Sequence, residues 1–348
     1  MKFNKVCSLI KSVAPAIQVG LLEIADNKAT LWIAQGSHEI KLSVPVEDVP
    51  ADFCKRTALN RDVFHRLKAE HYFARINDIS ENITPGDVEP IPVPEGKGSL
   101  LPNVSIKNFI KLTDSLHDSV SIRDLVNTLW IESKEDSIRF IATNGKGLAA
   151  KTIPSEGTRQ GTYGLPHLAF PFITAILSDK KAEYRLYLGE KQEVAICSDK
   201  VTFTYTNKKE WDREYTIDKL TRFIETVDSQ AVLSAENCET LLACANDRLE
   251  SIKDLGWNYK ETVRFAYEGN KLFAEKDTTN KQRVVCENLA IAGKDSFDYV
   301  LFAADYVKMF AEFFKKEGRD INLHFKGKNE GIVWFNETDY VILMPIRG

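Results

Sequence analysis

The sequence predicts an α+β fold in which amphipathic helices pack on antiparallel sheets. Three observations carry this. Apolar residues switch repeatedly between helical and alternating spacing along the chain. Each helical stretch is followed by several short strands joined by turn residues, not by the single strands of an alternating βαβ chain. One stretch, residues 83–99 "ITPGDVEPIPVPEGKGS", holds four prolines and three glycines and fits neither a helix interior nor a central strand.

The elements follow in chain order. "NKVCSLIKSVAP" and "NRDVFHRLKAE" read as helices, with "VGLLEIADNKATLWIAQ" and "HEIKLSVPVE" between them as strands. After the Pro-rich stretch, "VSIKNFIKLTDSL" places Ile106, Phe109, Ile110, Thr113 and Leu116 on one helical face, with Ser105 as the expected N-cap. "TLWIES", "SIRFIATN" and "LAAKTIP" are strands, and the Asn-Gly of "TNGKGL" marks a hairpin turn. The helix "FPFITAILSD" precedes the strands "EYRLYLG", "EVAICS" and "VTFTYT". In the last third, "SAENCETLLACAND" is helical and "TVRFAYEGNKLFAEKD" is a hairpin about Glu268-Gly269-Asn270. The helix "AADYVKMFAEFFKKEG" then leads to the strands "INLHFKG", "GIVWFN" and "YVILMPI". A second, highly charged break at residues 206–220 divides the chain into 1–98, 99–220 and 221–348. Each segment holds two helix-plus-strands units.

The 348 residues are 43% hydrophobic and 28% charged, enough apolar material for sizeable cores. The net charge of -4 excludes a wholly basic nucleic-acid coat, but not a local basic surface. Six cysteines, none in a CxxC pair, read as buried free thiols of a reducing compartment. The start lacks the apolar core of a signal peptide, and no run reaches membrane-span length, so a cytoplasmic protein is expected. His38, His65, His71, His117, His167 and His324 form no HxH or HxxxH pair, so no metal site is expected. There is no GxxxxGK[ST] phosphate loop and no GxSxG elbow. No cofactor and no catalytic residue are therefore expected, and the chain reads as a non-enzyme.

The charged residues carry the positive signal. Lys5 and Lys11 lie on the first helix, Arg61 and Arg66 on the second, and Lys107 and Lys111 one turn apart on the third. Arg123 follows that helix, and Lys308 and Lys315 lie on the last. A lysine on an outer helical face serves solubility. Repeated over several helices of an acidic protein, the same pattern means charge segregation, which suits sequence-independent contact with duplex DNA phosphates.

At this point the sequence resembles the bacterial-type DNA sliding clamp, the β subunit of DNA polymerase III. "FIATNGKGLAAKTIP" (140–154) is similar to that family's middle-domain strand–turn–strand, with Thr143, Gly145, Leu148 and Ala149 matching and Asn144, Lys146 and Gly147 departing. "RDLVNTLWIES" resembles the strand before it, "FAADYVKMFAEFF" the last helix, and "YVILMPIRG" the terminal Tyr-x-x-x-Met-Pro-x-Arg. Segment one fits through about residue 70, and the rest of it is short for the family, which points to a trimmed first domain and to a phage or other mobile element as the source. The resemblance implies three clamp domains, each of two helix-plus-antiparallel-sheet units. Two chains would close head-to-tail into a homodimer ring around double-stranded DNA, near the nucleoid. The alternatives are a clamp-fold partner-binding protein that closes no ring, or an enzyme with a cryptic site.

The resemblance further implies an apolar groove in which DNA polymerase, clamp loader and other partners dock clamp-binding peptides. Carried onto this chain, it would use Val126, Thr143, Lys146 and Leu148, then Leu220, then Ile342, Met344 and Ile346, with Arg347 at its rim. Lys146 and Gly147 stand where the family usually has His and Arg, which implies an altered peptide preference.

Overall fold

The two-residue loop Asp26-Asn27 shows how tightly the sequence sets the first sheet. Strands β1 (Val19–Ala25) and β2 (Lys28–Gln35) pair antiparallel, with Ala25 opposite Lys28. Both loop residues have positive φ, 51° and 57°, the backbone a type I′ hairpin demands and which Asn and Asp tolerate. The structure is a computed structural model that describes residues 2, 5–9, 19–47, 55–59, 91–117, 124–207, 231–246, 261–268, 271–275, 283–288, 299–327 and 331–346. All of "NRDVFHRLKAE" and all of "NKVCSLIKSVAP" beyond helical residues 5–9 lie outside the described residues.

The chain divides into two compact units: residues 1–110, 128–139 and 153–217, and residues 111–127, 140–152 and 218–348. The first unit draws on the first two sequence segments and the second on the last two.

In the first unit an eight-stranded antiparallel sheet runs β4-β1-β2-β3-β12-β11-β10-β5. Its other strands are β3 (His38–Pro45), β4 (Lys55–Leu59) and β5 (Ser99–Leu101), then β10 (Tyr184–Leu188), β11 (Val194–Cys197) and β12 (Thr202–Asn207). The join between β3 and β12, with His38 opposite Asn207 and Ser43 opposite Thr202, links strands far apart in sequence. The first unit also holds β6 (Thr128–Ser133), paired with β9 (Gly161–Pro166). The sequence pattern does not reveal β9, because two glycines and a terminal proline weaken its strand signal.

In the second unit the strand order is β17-β14-β15-β16-β13-β18-β19-β20-β8. These are β8 (Gly147–Pro154), β13 (Ala231–Leu233), β14 (Thr262–Glu268), β15 (Lys271–Glu275) and β16 (Arg283–Asn288). β17 (Tyr299–Ala303), β18 (Ile321–Gly327), β19 (Gly331–Phe335) and β20 (Asp339–Leu343) complete the order. The hairpin expected about residues 268–270 is present, with Glu268 opposite Lys271, although Gly269 and Asn270 lie outside the described residues.

Four α-helices are described with their ends: α1 (Asn103–Leu116), α2 (Phe170–Ile176), α3 (Ala235–Asn246) and α4 (Ala304–Glu317). Ser105 is not the N-cap of α1. The amide of Ile106 already donates to the carbonyl of Pro102, so the helix begins two residues before the serine. The predicted apolar face holds: Ile106, Phe109, Ile110, Thr113 and Leu116 are all buried. α4 closes on Gly318, whose left-handed φ of 67° lets its amide reach the carbonyls of Phe314 and Lys315. Asp305 in the first turn and Lys315 and Lys316 in the last complement the helix dipole.

The core of the second unit is aromatic. Trp334 of β19 is fully buried, stacks on Phe314 at 6.3 Å, and meets Phe310 and Phe265 edge-on. Phe265 in turn meets Phe302 at 5.6 Å. Such pairs contribute about 0.5–1.5 kcal/mol each beyond the area they bury, and here they fasten α4 to β14, β17 and β19.

Cys7, Cys197, Cys238 and Cys244 are thiols and not disulfides, as expected. Burial pushes the thiols of Cys197 and Cys238 up to about 11. For Cys197 a hydrogen bond from Thr202 opposes the shift, and for Cys238 Asp320 adds to it while Lys315 opposes it. The thiolate is the reactive form, so at pH 8 only about one thiol in a thousand at these positions is reactive. Their labelling by a disulfide reagent in the native protein is expected to be slow and to rise about tenfold per pH unit up to pH 10. Fast, pH-independent labelling would contradict it.

Candidate partner-docking site

The predicted groove residues that the structure describes gather mostly on one ladder of the second unit. β7 (Ser137–Thr143) leads into the turn 144–146 and on to β8, and β20 lies against β8. The turn is held by side chains. Thr143 is buried, donates from Oγ1 to the carbonyl of Gly147 at 2.8 Å, and accepts the amide of Gly145. Asn144 Oδ1 accepts the amides of Lys146 and Gly147, both at 3.0 Å. Its Nδ2 donates to the hydroxyl of Tyr306 on α4 at 2.7 Å. That bond ties the turn to the last helix.

The tail is tied down by its backbone. β20 ends at Leu343, and then the amide of Met344 donates to the carbonyl of Lys146 at 3.0 Å. The amide of Ile346 donates to the carbonyl of Leu301 on β17 at 2.9 Å. Pro345, between them, has no amide to satisfy. The Met344 side chain is left 40% exposed on a fixed backbone, beside exposed Lys146 and half-buried Ile346. Its sulfur lies next to Gly331, at 3.4 Å from where a Cβ would stand.

The wall beneath is closed. Leu148 faces Ile342 across the ladder, and each is 5% exposed, so both act as packed backing. A Cβ on Gly147 would meet Phe310 Cζ at 3.2 Å and Leu116 Cδ2 at 3.4 Å. A side chain there would need Phe310 to give way by a few tenths of an ångström. Val126 is half-buried on the 3-10 turn Asp124–Asn127, off the β8–β20 ladder that carries the others. Leu220 and Arg347 lie outside the described residues. An apolar floor, a flexible thioether and one ammonium form a surface suited to a short peptide with apolar anchors.

The basic residues are divided. Lys5 and Lys111 are exposed, Lys107 and Lys308 half-buried, and Lys11, Arg61, Arg66 and Arg123 lie outside the described residues. Lys315 is exposed but donates to Glu239 of α3 at 2.7 Å, which holds that carboxylate below its usual range. α3 carries Glu236 and Glu239 and no basic residue, and α2 carries no basic residue either, so the basic pattern extends to neither of them. Among the described residues no three His, Cys, Asp or Glu side chains are grouped to hold a metal ion, and no helix is long and apolar enough to cross a membrane.

No family model and no curated protein matches this chain. Solved structures match it over nearly its whole length. The DNA polymerase sliding clamp of Pseudomonas aeruginosa is 15% identical with a TM-score of 0.63, over 98% of this chain and 96% of that one. The DNA polymerase III β subunit of Thermotoga maritima is 14% identical with a TM-score of 0.65, over 99% and 98%. The β subunit from DNA polymerase of Streptococcus pyogenes is 14% identical with a TM-score of 0.60, over 99% of each chain. The fold is therefore the α+β clamp fold with antiparallel sheets. More particularly, it is a divergent version of the fold of bacterial DNA polymerase III β sliding clamps.

Proposed function

We propose that this protein is a non-enzymatic DNA sliding clamp, a processivity factor for a replicative polymerase. The observation that carries the reading is the end-to-end match, 98% of this chain against 96% of the Pseudomonas clamp, so that the clamp fold accounts for nearly all of these 348 residues. On this reading residues 1–98, 99–220 and 221–348 are three clamp domains. Sheets are continued edge to edge between them, by β3 with β12 and by β20 with β8. A third join of the same kind, between the last domain of one copy and the first of another, closes a head-to-tail homodimer and covers an open sheet edge on each of those domains. The ring encircles duplex DNA in the replisome. Lys5, Lys11, Arg61, Arg66, Lys107, Lys111, Arg123 and Lys308 contact phosphates without reading bases. Lys315 is the weakest member because Glu239 already engages it. Polymerase, clamp loader and other partners dock peptides on Lys146, Met344 and Ile346, with Val126, Leu220 and Arg347 completing the groove.

Sedimentation tests the ring. A dimer of about twice 39.4 kDa that survives dilution is expected, and a strictly monomeric species would overturn ring closure. The DNA contact is tested by Lys107→Glu with Lys111→Glu. The pair is expected to weaken retention and to lower the salt slope by about 2, roughly one for each phosphate no longer neutralised. An unchanged slope would place these lysines away from DNA.

A further inference from the structure

The docking wall is assembled from two pieces of chain almost 200 residues apart, and their apolar residues do not by themselves fix how they pair. On β8, Gly147, Leu148, Ala149, Ala150 and Lys151 are buried in succession, and on β20 only Tyr340 is not fully buried. Strand register is normally set by alternation between a buried and a solvated face. Here both faces are covered, and small residues at 147, 149 and 150 would accept more than one partner.

One polar feature breaks this degeneracy. Lys151 and Asp339 stand directly opposite each other in the ladder and are 2% and 1% exposed. The ammonium reaches Asp339 Oδ1 at 2.6 Å and Glu317 Oε2, on the last residue of α4, at 3.4 Å. It also lies 5.9 Å from the centre of the Phe313 ring. The other carboxylate oxygen of Asp339 accepts from Thr338 Oγ1 at 2.9 Å. Thr338 and the Asp339 amide are fixed in turn by Asn336 Oδ1. A slip of two residues would set Asp339 against Ala149 or Ile153 and Lys151 against Val341 or Glu337. The ion pair would be broken inside the protein, and an uncompensated buried charge is strongly destabilising. The same slip would take the amide of Met344 off the carbonyl of Lys146.

We infer that the buried Lys151–Asp339–Glu317 cluster is the positioning device of the docking site. It fixes the register of β20 on β8 and so delivers Met344 to its place beside Lys146. The inference rests on the docking reading for its purpose but not for its geometry. Lys151, Asp339 and Glu317 are positioning residues: they act through the strand.

Register is read directly by cysteine pairs in the full-length protein. Ala149→Cys with Val341→Cys reports the observed register, because these residues are opposed. Ala149→Cys with Leu343→Cys reports a two-residue slip. After oxidative refolding, the otherwise native chain is expected to give the first cross-link and not the second. In a Lys151→Met, Asp339→Leu background, apolar side chains refill the space and stability is largely kept, but the second cross-link is expected to rise about tenfold relative to the first, equivalent to about 1.4 kcal/mol of lost discrimination. Retention of the first cross-link alone in that background would overturn the inference and leave the cluster as packing. If the double replacement does not fold, Asp339→Asn, which keeps the shape and removes the charge, gives the same reading with the same cysteine pairs. The cross-links form whether or not a peptide binds, so failure of the docking reading would not disturb this result. A docking defect with unchanged cross-links would leave that reading standing and this one refuted.

Discussion

Deletion of Met344–Gly348 is expected to abolish stimulation of the partner polymerase while leaving the folded dimer intact. The strand itself survives such a deletion, because the β20 ladder on β8 runs only from Asp339 to Leu343. What is lost is the segment that lies beyond the sheet, held by the Met344 amide on Lys146 and the Ile346 amide on Leu301. Met344 is 40% exposed, one of few large apolar side chains so exposed among the described residues, and its removal uncovers little core. If it anchors a docked peptide, truncation costs about 2–4 kcal/mol, or about 30- to 1,000-fold in affinity. Met344→Ala is the milder version and is expected to act in the same direction. Primer extension with the partner polymerase, run beside sedimentation of the same variant, separates the two effects. Full stimulation by the truncated protein would reduce the tail to an ordinary strand end.

Phe310→Ala is expected to destabilise the second unit by about 3–5 kcal/mol, the usual cost of removing a buried phenyl ring. Phe310 is fully buried and packs against Trp334 and Tyr306. It also lies beneath Gly147, within 3.2 Å of where a Cβ would stand. The variant therefore loses aromatic core and the support of the docking turn together. Chemical denaturation should show a lower midpoint for the transition of this unit, and peptide docking should weaken even where the unit remains folded. A loss below about 1 kcal/mol would mean that the site relaxes around the gap far more than a packed interior normally does.

The α+β class and most elements are legible in the sequence because one face of each element is apolar at the right period. The face of α1, the strands β6 to β8, and the helix α4 with Gly318 behind it all follow from local spacing. Local spacing misplaces the start of α1, because Ser105 is a good capping residue, yet the carbonyl of Pro102 already opens the helix. The sheet joins are not legible in any local sense. Nothing in "HEIKLSVP" names "TFTYTN" as its neighbour, and nothing in "GLAAKTIP" names "DYVIL". Such pairing is decided by tertiary packing and, on the inference above, by one buried ion pair. Within the candidate site, sequence likeness picks out Lys146, Met344 and Ile346. It gives no warning that Leu148 and Ile342 are backing rather than surface, because exposure depends on the strand that lies alongside. Asn144, whose Nδ2 fixes the turn to Tyr306, shows in the sequence only as a departure from the family.

On the clamp reading, the protein holds DNA by encircling it. The direct measurement is retention of the protein on closed circular duplex, after loading, before and after a single restriction cut. The protein is expected to co-elute with the closed circle in moderate salt and to be lost when the circle is linearised. Equal retention on circle and linear DNA, or no retention on either, would contradict it.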